Sequence, residues 1–172
     1  MVARVTIFVG VCCAVMATAA TPPGPIQPIP VNPGGPNRPA LPAATASLSS
    51  TRAGAKPVAL TVKVHYQMVC GQPGPGTAIL TLPAAASVPG TIGSSAVLVN
   101  GKPATAVAVS GHDVSITLPR RKGITCLAIG PGTLTLTLTK SAGLGNPAAS
   151  GTYAIRVRHN ALSFKASVDI SA

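Results

Sequence analysis

The side chains that enzymes use for catalysis are few in this chain and far apart. Asp113 and Asp169 are the two carboxylates among 172 residues, and hydrolysis by paired carboxylates needs two acids close together. A Ser-His-Asp arrangement could be drawn with His112 or His159, but no serine lies in a nucleophile motif such as Gly-x-Ser-x-Gly. We therefore expect no catalytic residue and no enzyme.

The sequence patterns that bind metals and cofactors are also missing from this chain. Zinc needs spaced Cys or His clusters and calcium needs several carboxylates, and neither pattern is present. The glycines of "GQPGPG" (71–76) alternate with prolines, which lack the amide donors that a phosphate-binding loop uses. His65, His112 and His159 each fall on a predicted outward strand face or in a turn, so we expect three surface histidines, no metal and no cofactor.

Basic side chains are the chemistry that this chain does supply. Thirteen Lys and Arg give a formal net charge of +11. Arg120, Arg121 and Lys122 share a predicted loop, while Arg156 and Arg158 share one strand face. Arginine binds phosphate and carboxylate groups in bidentate geometry, so this set is predicted to bind an anionic cell-wall polymer; a solvated face that only aids solubility is the alternative. We expect no nucleic-acid binding, because exposed aromatic side chains for base stacking are missing.

The N-terminus indicates export. Arg4, the apolar run "VTIFVGVCCAVM" (5–16) and Ala17-Thr18-Ala19 have the layout of a secretory signal peptide, predicted over residues 1–19. It is too short to remain as a membrane anchor, so no transmembrane segment is expected in the mature chain. A buried or interfacial apolar helix, or a lipid-modified cysteine in this segment, is the alternative.

Cysteines support the same compartment. If cleavage removes the leader cysteines, Cys70 and Cys126 remain, an even pair in an oxidising setting that predicts one disulfide. Two free thiols or half of a metal site are the alternatives. The chain is expected to be secreted, and either extracellular or associated with the cell wall.

The chain after the leader divides into a spacer and a domain. Nine prolines occur in "TPPGPIQPIPVNPGGPNRPALP" (21–42), and "AATASLSSTRAGAK" (43–56) consists mainly of small and polar residues. Proline removes backbone donors and favours extended conformations. Residues 20–56 are therefore predicted to be a disordered linker, and residues 57–172 the folded domain.

Alternating hydrophobicity over the domain predicts β-strands. Asn100-Gly101 predicts a type I′ hairpin, and Ser110-Gly111 gives a weaker turn signal. No window has sustained helical periodicity, so about eight short strands in an antiparallel sandwich are expected. The residues predicted to face inward are Leu60, Val62, Val64, Tyr66, Met68, Ala78, Leu80, Leu82, Leu134, Leu136, Leu138, Tyr153, Ile155, Val157, Phe164, Ala166, Val168 and Ile170.

Three segments carry a family resemblance. "LTLPAAASVPGTI", "VLVNGKPATAVAVSGHDVSITLP" and "AGLGNPAASGTYAIRV", in this order and at these separations, resemble an immunoglobulin-like module of bacterial cell-surface and S-layer-associated proteins, over about residues 58–170. The resemblance implies an immunoglobulin-like sandwich without catalytic residues. The two cysteines and "RRKGITC" (120–126) depart from the pattern of that module.

Together these features predict a secreted, non-enzymatic binding or structural module whose partner is an anionic wall polymer or a surface protein. Two other functions stay open: an inhibitor or ligand that engages a partner protein through a disulfide-braced loop near Cys126, and a secreted hydrolase with an unrecognised site. The sequence does not set the oligomeric state.

Overall fold

The computed structural model describes residues 43–69, 71, 76–119 and 129–172. These residues form ten β-strands and two single turns of 3-10 helix, at Ser94–Ala96 and Lys140–Ala142. The strands are β1 (Ala43–Leu48), β2 (Leu60–Val69), β3 (Thr77–Thr81), β4 (Val97–Val99), β5 (Lys102–Pro103), β6 (Ala106–Ser110), β7 (Asp113–Thr117), β8 (Ile129–Leu138), β9 (Gly151–His159) and β10 (Leu162–Ile170).

The strands form two antiparallel sheets of five strands each. The first sheet has the order β1-β2-β8-β4-β5 and the second the order β10-β9-β3-β7-β6. The longest pairing joins β2 to β8 over ten residue pairs, from Leu60↔Leu138 to Val69↔Ile129. The fold class predicted from the alternation, all-β and antiparallel, is therefore confirmed, although the described strands number ten rather than about eight.

The hydrophobic core lies between the sheets and follows the alternation of each strand. Inward residues of both sheets form one buried cluster, including Val62 and Leu136 of the first sheet and Leu80 and Ile116 of the second. All eighteen side chains predicted to face inward are buried, except the half-buried Tyr66 and Tyr153. Side chains at every second position share a face of a sheet, which is why the pattern alone determines this core.

The predicted boundary between linker and domain at residue 57 is wrong. Residues 43–48, assigned to the disordered linker, form β1 and pair with β2 from Ala43↔His65 to Leu48↔Leu60. As an edge strand, β1 contributes only half-buried side chains, those of Ala44, Ala46 and Leu48, to the core. Small residues suffice for half-burial at an edge, so the small and polar composition of residues 43–56 does not indicate a strand.

Asn146 fixes the segment between β1 and β2. Its Nδ2 donates to the carbonyl oxygens of Ser50 and Arg52, each at 2.8 Å, and its backbone N–H donates to the carbonyl of Ala55 at 2.9 Å. The side chain is buried. The Asn-Pro turn at residues 146–147 therefore holds a stretch that its composition had suggested to be unstructured.

Two tight turns position the middle strands. Asn100 and Gly101 have φ of 48° and 78° and close the pair Val99↔Lys102, which confirms the predicted type I′ hairpin. The second turn begins one residue later than the predicted Ser110-Gly111 turn. Gly111 and His112 close the pair Ser110↔Asp113, and only Gly111 of the two has a positive φ, 59°, the pattern of a type II′ turn.

Several predictions fall outside the described residues. They are the signal peptide, the proline-rich stretch 20–42, both ends of the predicted disulfide (Cys70 and Cys126), and the basic loop residues Arg120, Arg121 and Lys122.

Candidate functional site

Two arginines project from the outer face of the second sheet. Arg156 and Arg158 alternate along β9 with Ile155 and Val157, which are buried in the core. Both arginines are exposed, as predicted. Residues two apart on a strand are separated by about 7 Å, so β9 presents two guanidinium groups side by side to solvent.

A lysine of the neighbouring strand completes the cluster. Lys165 of β10 is the direct cross-strand partner of Arg156 and is exposed. Side chains opposite each other on adjacent antiparallel strands have Cβ atoms about 5 Å apart. We call Arg156, Arg158 and Lys165 the basic face.

Sequence reasoning missed Lys165, although a signal for it was available. A two-residue turn, Asn160-Ala161, joins β9 to β10 and places His159 opposite Leu162; Asn160 has φ of 53°. Counting back from that turn in antiparallel register brings Lys165 opposite Arg156. Without this turn, the alternation of β9 and β10 gives the face of each residue but not the partner across the strands.

Few acidic groups offset these charges on the same sheet. Asp169 lies opposite Thr152, four residues before Arg156 on β9. It accepts a hydrogen bond of 2.6 Å from the Thr152 hydroxyl. On the other side of β9, Arg156 and Arg158 have Thr81 and Ile79 of β3 as partners. Asp113 is opposite Thr81 on the next strand, β7, two strand spacings or about 10 Å from β9. The basic face is therefore a local excess of positive charge.

Other exposed lysines lie away from this cluster. Lys63 is on the outer face of the first sheet, Lys102 follows the β4–β5 turn and Lys140 lies in the turn after β8. They share no strand with one another or with the basic face, and they provide a natural comparison for it. The other half of the predicted binding set, Arg120, Arg121 and Lys122, is outside the described residues.

The prediction of three surface histidines is wrong for His159. His65 is exposed and its Nδ1 lies 2.9 Å from the Thr133 hydroxyl, and His112 is half-buried in its turn. His159 is only 1% exposed, because it continues the inward series of Ile155 and Val157 on β9. Its position along the strand therefore decides its face.

The hydrogen bonds of the buried His159 are not those of a Ser-His-Asp arrangement, and the described residues contain no metal-binding cluster. His159 contacts the Thr77 carbonyl and Asn160 at 3.4 and 3.3 Å rather than an acid or a serine. Over residues 43–69, 76–119 and 129–172, no three His, Cys, Asp or Glu side chains are grouped so that they could hold a metal ion. Neither helical turn of this part of the chain is long and apolar enough to span a membrane.

The strands that lead to the two predicted disulfide cysteines are direct neighbours. β2 and β8 remain paired up to Val69↔Ile129. Cys70 follows Val69 in the chain, and Cys126 precedes Ile129 by three positions. The disulfide, and the inhibitor function that would use the loop beside it, stay predictions.

Comparisons with known proteins give little further information. No protein-family model matches the chain, and no curated protein matches it at a significant level. Among solved structures, the chain is similar to the crystal structure of BslA, a bacterial hydrophobin. The two chains are 21% identical with a TM-score of 0.48, and the match covers 76% of this chain and 98% of that chain.

Proposed function

We propose that this chain is a secreted, non-enzymatic binding module that holds an anionic polymer of the cell wall or extracellular matrix against the basic face. The predicted signal peptide and the predicted disulfide support an extracellular location. Neither the described side chains nor the sequence supplies a nucleophile, a base and an acid in one place, which supports a binding function over a hydrolytic one.

The observation that carries the proposal is the cross-strand pair of like charges, Arg156 opposite Lys165, with Arg158 beside it. Like charges directly opposite each other on a sheet repel. A chain of phosphate or carboxylate groups laid over the three side chains would remove that repulsion, and the two arginines would add bidentate hydrogen bonds. Of the cross-strand neighbours, Thr81 and Ser163 are small and Ile79 is half-buried, so an extended polymer can approach the sheet.

We further propose that the domain is immunoglobulin-like. In such domains one sheet contains strands A, B and E and the other contains C, F and G. Assigning β1, β2 and β8 as A, B and E, and β3, β9 and β10 as C, F and G, gives the two neighbour orders A-B-E and G-F-C. The strands β4 to β7 lie between C and E in the chain and vary this scheme.

Tyr153 provides independent support for this assignment. Immunoglobulin-like domains often carry a tyrosine near the start of strand F whose hydroxyl bonds to the backbone a few residues upstream. Tyr153 lies near the start of β9, and its hydroxyl donates to the Ala149 carbonyl at 3.0 Å. The segment "GNPAASGTY" (145–153) thus combines a turn held by Asn146 with a tyrosine that fixes the entry to β9.

Binding can be tested by co-sedimentation of the protein with purified cell walls, and with polyphosphate and polyglutamate immobilised on beads. The triple variant Arg156→Ser, Arg158→Ser, Lys165→Ser should lose at least about tenfold in affinity, because it removes three charge-assisted contacts. Wild-type binding should also weaken as salt is raised, since exposed charges are screened. Stronger binding to polyphosphate than to polyglutamate would identify phosphate as the preferred group.

The matched control removes the same charge elsewhere. Lys63→Ser, Lys102→Ser and Lys140→Ser, combined, lower the net charge by the same three units and leave the basic face intact. This control should keep most of the binding. Equal losses in both triple variants would mean that net charge alone attracts the polymer, and unchanged binding in the basic-face variant would exclude this site.

A further inference from the structure

Among the described strands, four lie at sheet edges, namely β1, β5, β6 and β10, and within that part of the chain only β6 has an edge without protection. β1 and β10 are adjacent to each other, and the segments beside them are joined where Ala53 N–H donates to the Ser171 carbonyl at 2.7 Å. β10 also carries Lys165 and Asp169, and β5 is two residues long and includes Pro103. Charges, proline and short length are the usual means of protecting an edge.

β6 has none of these features. Its sequence, Ala-Val-Ala-Val-Ser over residues 106–110, contains no charge and no proline. Among the described strands, its main contacts are with β7. Ala106, Ala108 and Ser110 are exposed, and Val107 and Val109 are half-buried against the core. An uncharged, five-residue edge of this kind is a template for pairing with another strand.

The turn between β6 and β7 determines which backbone groups are free. In a two-residue hairpin the closing residues, here Ser110 and Asp113, exchange both of their backbone hydrogen bonds. Residues at alternate positions share this direction, so Ala108 and Ala106 also bond towards β7. The N–H and C=O groups of Val107 and Val109 therefore point away from the sheet.

We propose that a second copy of this chain pairs with β6 in antiparallel register around a two-fold axis at Ala108. In that register Val107 of each copy lies opposite Val109 of the other, and the two residues exchange both backbone hydrogen bonds. All four outward groups of each copy are then satisfied. The side chains match as well: valine meets valine on the core side, and Ala108 meets its symmetry mate at the close spacing of about 4.5 Å that non-hydrogen-bonded pairs have.

The charge distribution permits this pairing despite the net charge of +11. The basic face is on β9 and β10, and β9 is separated from β6 by β3 and β7. Across the joined edge, the two β9 strands would be seven strand spacings, or about 34 Å, apart. This is several times the screening length of about 8 Å at physiological salt, so repulsion between the two basic faces is small.

Pairing at β6 would also place both basic faces on the outer surface of one ten-stranded sheet, because a two-fold axis perpendicular to the sheet relates the outer faces of the two copies. The twist of the sheet turns the two basic faces relative to each other. A long polymer could then contact two sites at once, which raises overall affinity without any new contact. The pairing itself does not depend on polymer binding, and it is measured without polymer.

Sedimentation velocity of the purified protein over a concentration series provides the first test. Wild type should sediment as a dimer at high concentration. Ala108→Lys, which places two lysines opposite each other on the axis, should raise the dimer dissociation constant at least about tenfold. Its melting temperature should equal that of wild type at concentrations where both are monomeric. Ala154→Lys, on the same outer face but in the interior strand β9, should leave the dimer intact.

Cysteine cross-linking tests the register. Under mild oxidation Ala108→Cys should form a covalent dimer, because the paired Cα atoms lie within disulfide range. Ala106→Cys, two residues away on the same face, should not, because its symmetry mate would be about 14 Å distant. A monomer at every concentration, a dimer insensitive to Ala108→Lys, or equal cross-linking of both cysteine variants would overturn the proposed pairing.

Discussion

The two ends of β9 are stabilised by different means. Among the described residues, two polar side chains are buried, Asn146 just before β9 and His159 at its end. Asn146 makes short hydrogen bonds of 2.8 Å to two backbone carbonyls of the segment between β1 and β2. His159 makes longer ones, 3.4 Å to the Thr77 carbonyl and 3.3 Å to Asn160.

The surroundings of these two side chains differ as well. The end with Asn146, which we call the Asn146 end, is closed by backbone bonds such as Val58 N–H to the Leu144 carbonyl at 2.9 Å. At the opposite end, which we call the His159 end, aromatic rings pack at tilted angles instead. The ring centroid of Tyr66 lies 5.4 Å from that of Phe164 and 6.1 Å from that of His159. Hydrogen-bonded turns close one end and side-chain packing closes the other, so the two ends should respond to different substitutions.

The largest effect is expected from the predicted disulfide between Cys70 and Cys126. Replacing Cys70 and Cys126 together with Ser should lower the free energy of unfolding by about 4 kcal/mol, the value that chain entropy gives for a loop of this length. Urea unfolding of wild type and variant, each with and without reductant, measures the difference. Either single variant should cost as much as the double variant, and two free thiols in unreduced wild type would contradict the bond.

The next largest effect is expected at the Asn146 end. Asn146→Ala removes the donor for two carbonyls in a buried site, and should cost about 3 kcal/mol, because each unpaired group carries a desolvation penalty. The matched control is Asn100→Gly, because alanine would be strained at the left-handed φ of 48° of Asn100. Its exposed Oδ1 accepts a single bond of 2.7 Å from Thr135 N–H, so the loss should be about 1 kcal/mol. Equal losses of unfolding free energy in the two variants, measured in urea, would show that the hydrogen bonds of Asn146 do not stabilise this end.

The sequence allows the inside of this domain to be predicted better than its edges. Two-residue alternation identifies the inward side chains of β2, β3 and β8, because burial there follows position in the strand. It misses β1, whose alanines need only half-burial against the core. The prediction of a surface histidine at position 159 is wrong, because this residue continues the inward series of Ile155 and Val157.

The basic face could be predicted only in part for a related reason. Alternation along β9 predicts that Arg156 and Arg158 point outward, but it does not say which residues of other strands lie beside them. That information depends on register, and the register of β9 and β10 is set by the Asn160-Ala161 turn. Lys165 and the free edge of β6 both depend on such pairings between strands.

Packing at the His159 end can be tested at a glycine. A Cβ at Gly132 would lie 2.6 Å from Met68 Sδ and 2.9 Å from the Gly71 carbonyl oxygen, so Gly132→Ala should cost about 2 kcal/mol through overpacking. Gly130→Ala, on the same strand with nothing within 4 Å of the added carbon, should be close to neutral. Thermal unfolding compares the two variants, and similar losses would mean that this end is loosely packed.

The smallest effects separate the two tyrosines, which should respond to the same substitution in opposite directions. Tyr153→Phe removes the bond to the Ala149 carbonyl at 3.0 Å near the Asn146 end and should cost about 1 kcal/mol. The Tyr66 hydroxyl, near the His159 end, is shielded from solvent and has no hydrogen-bond partner in the described part of the chain. Tyr66→Phe should therefore stabilise the domain by about 1 kcal/mol, because a desolvated, unpaired hydroxyl is removed.

Alkaline pH gives an independent measure of the Tyr66 environment. Burial raises the pKa of Tyr66 from 10.0 to about 12, so the folded state disfavours the phenolate that the unfolded chain forms readily. The stability linked to this group is complete below pH 10 and is lost as the pH rises through about 12. Tyr66→Phe should remove this part of the alkaline loss, whereas Tyr153→Phe should retain it. An identical alkaline profile for wild type and Tyr66→Phe would mean that the hydroxyl reaches water, and that the His159 end is open rather than closed by packing.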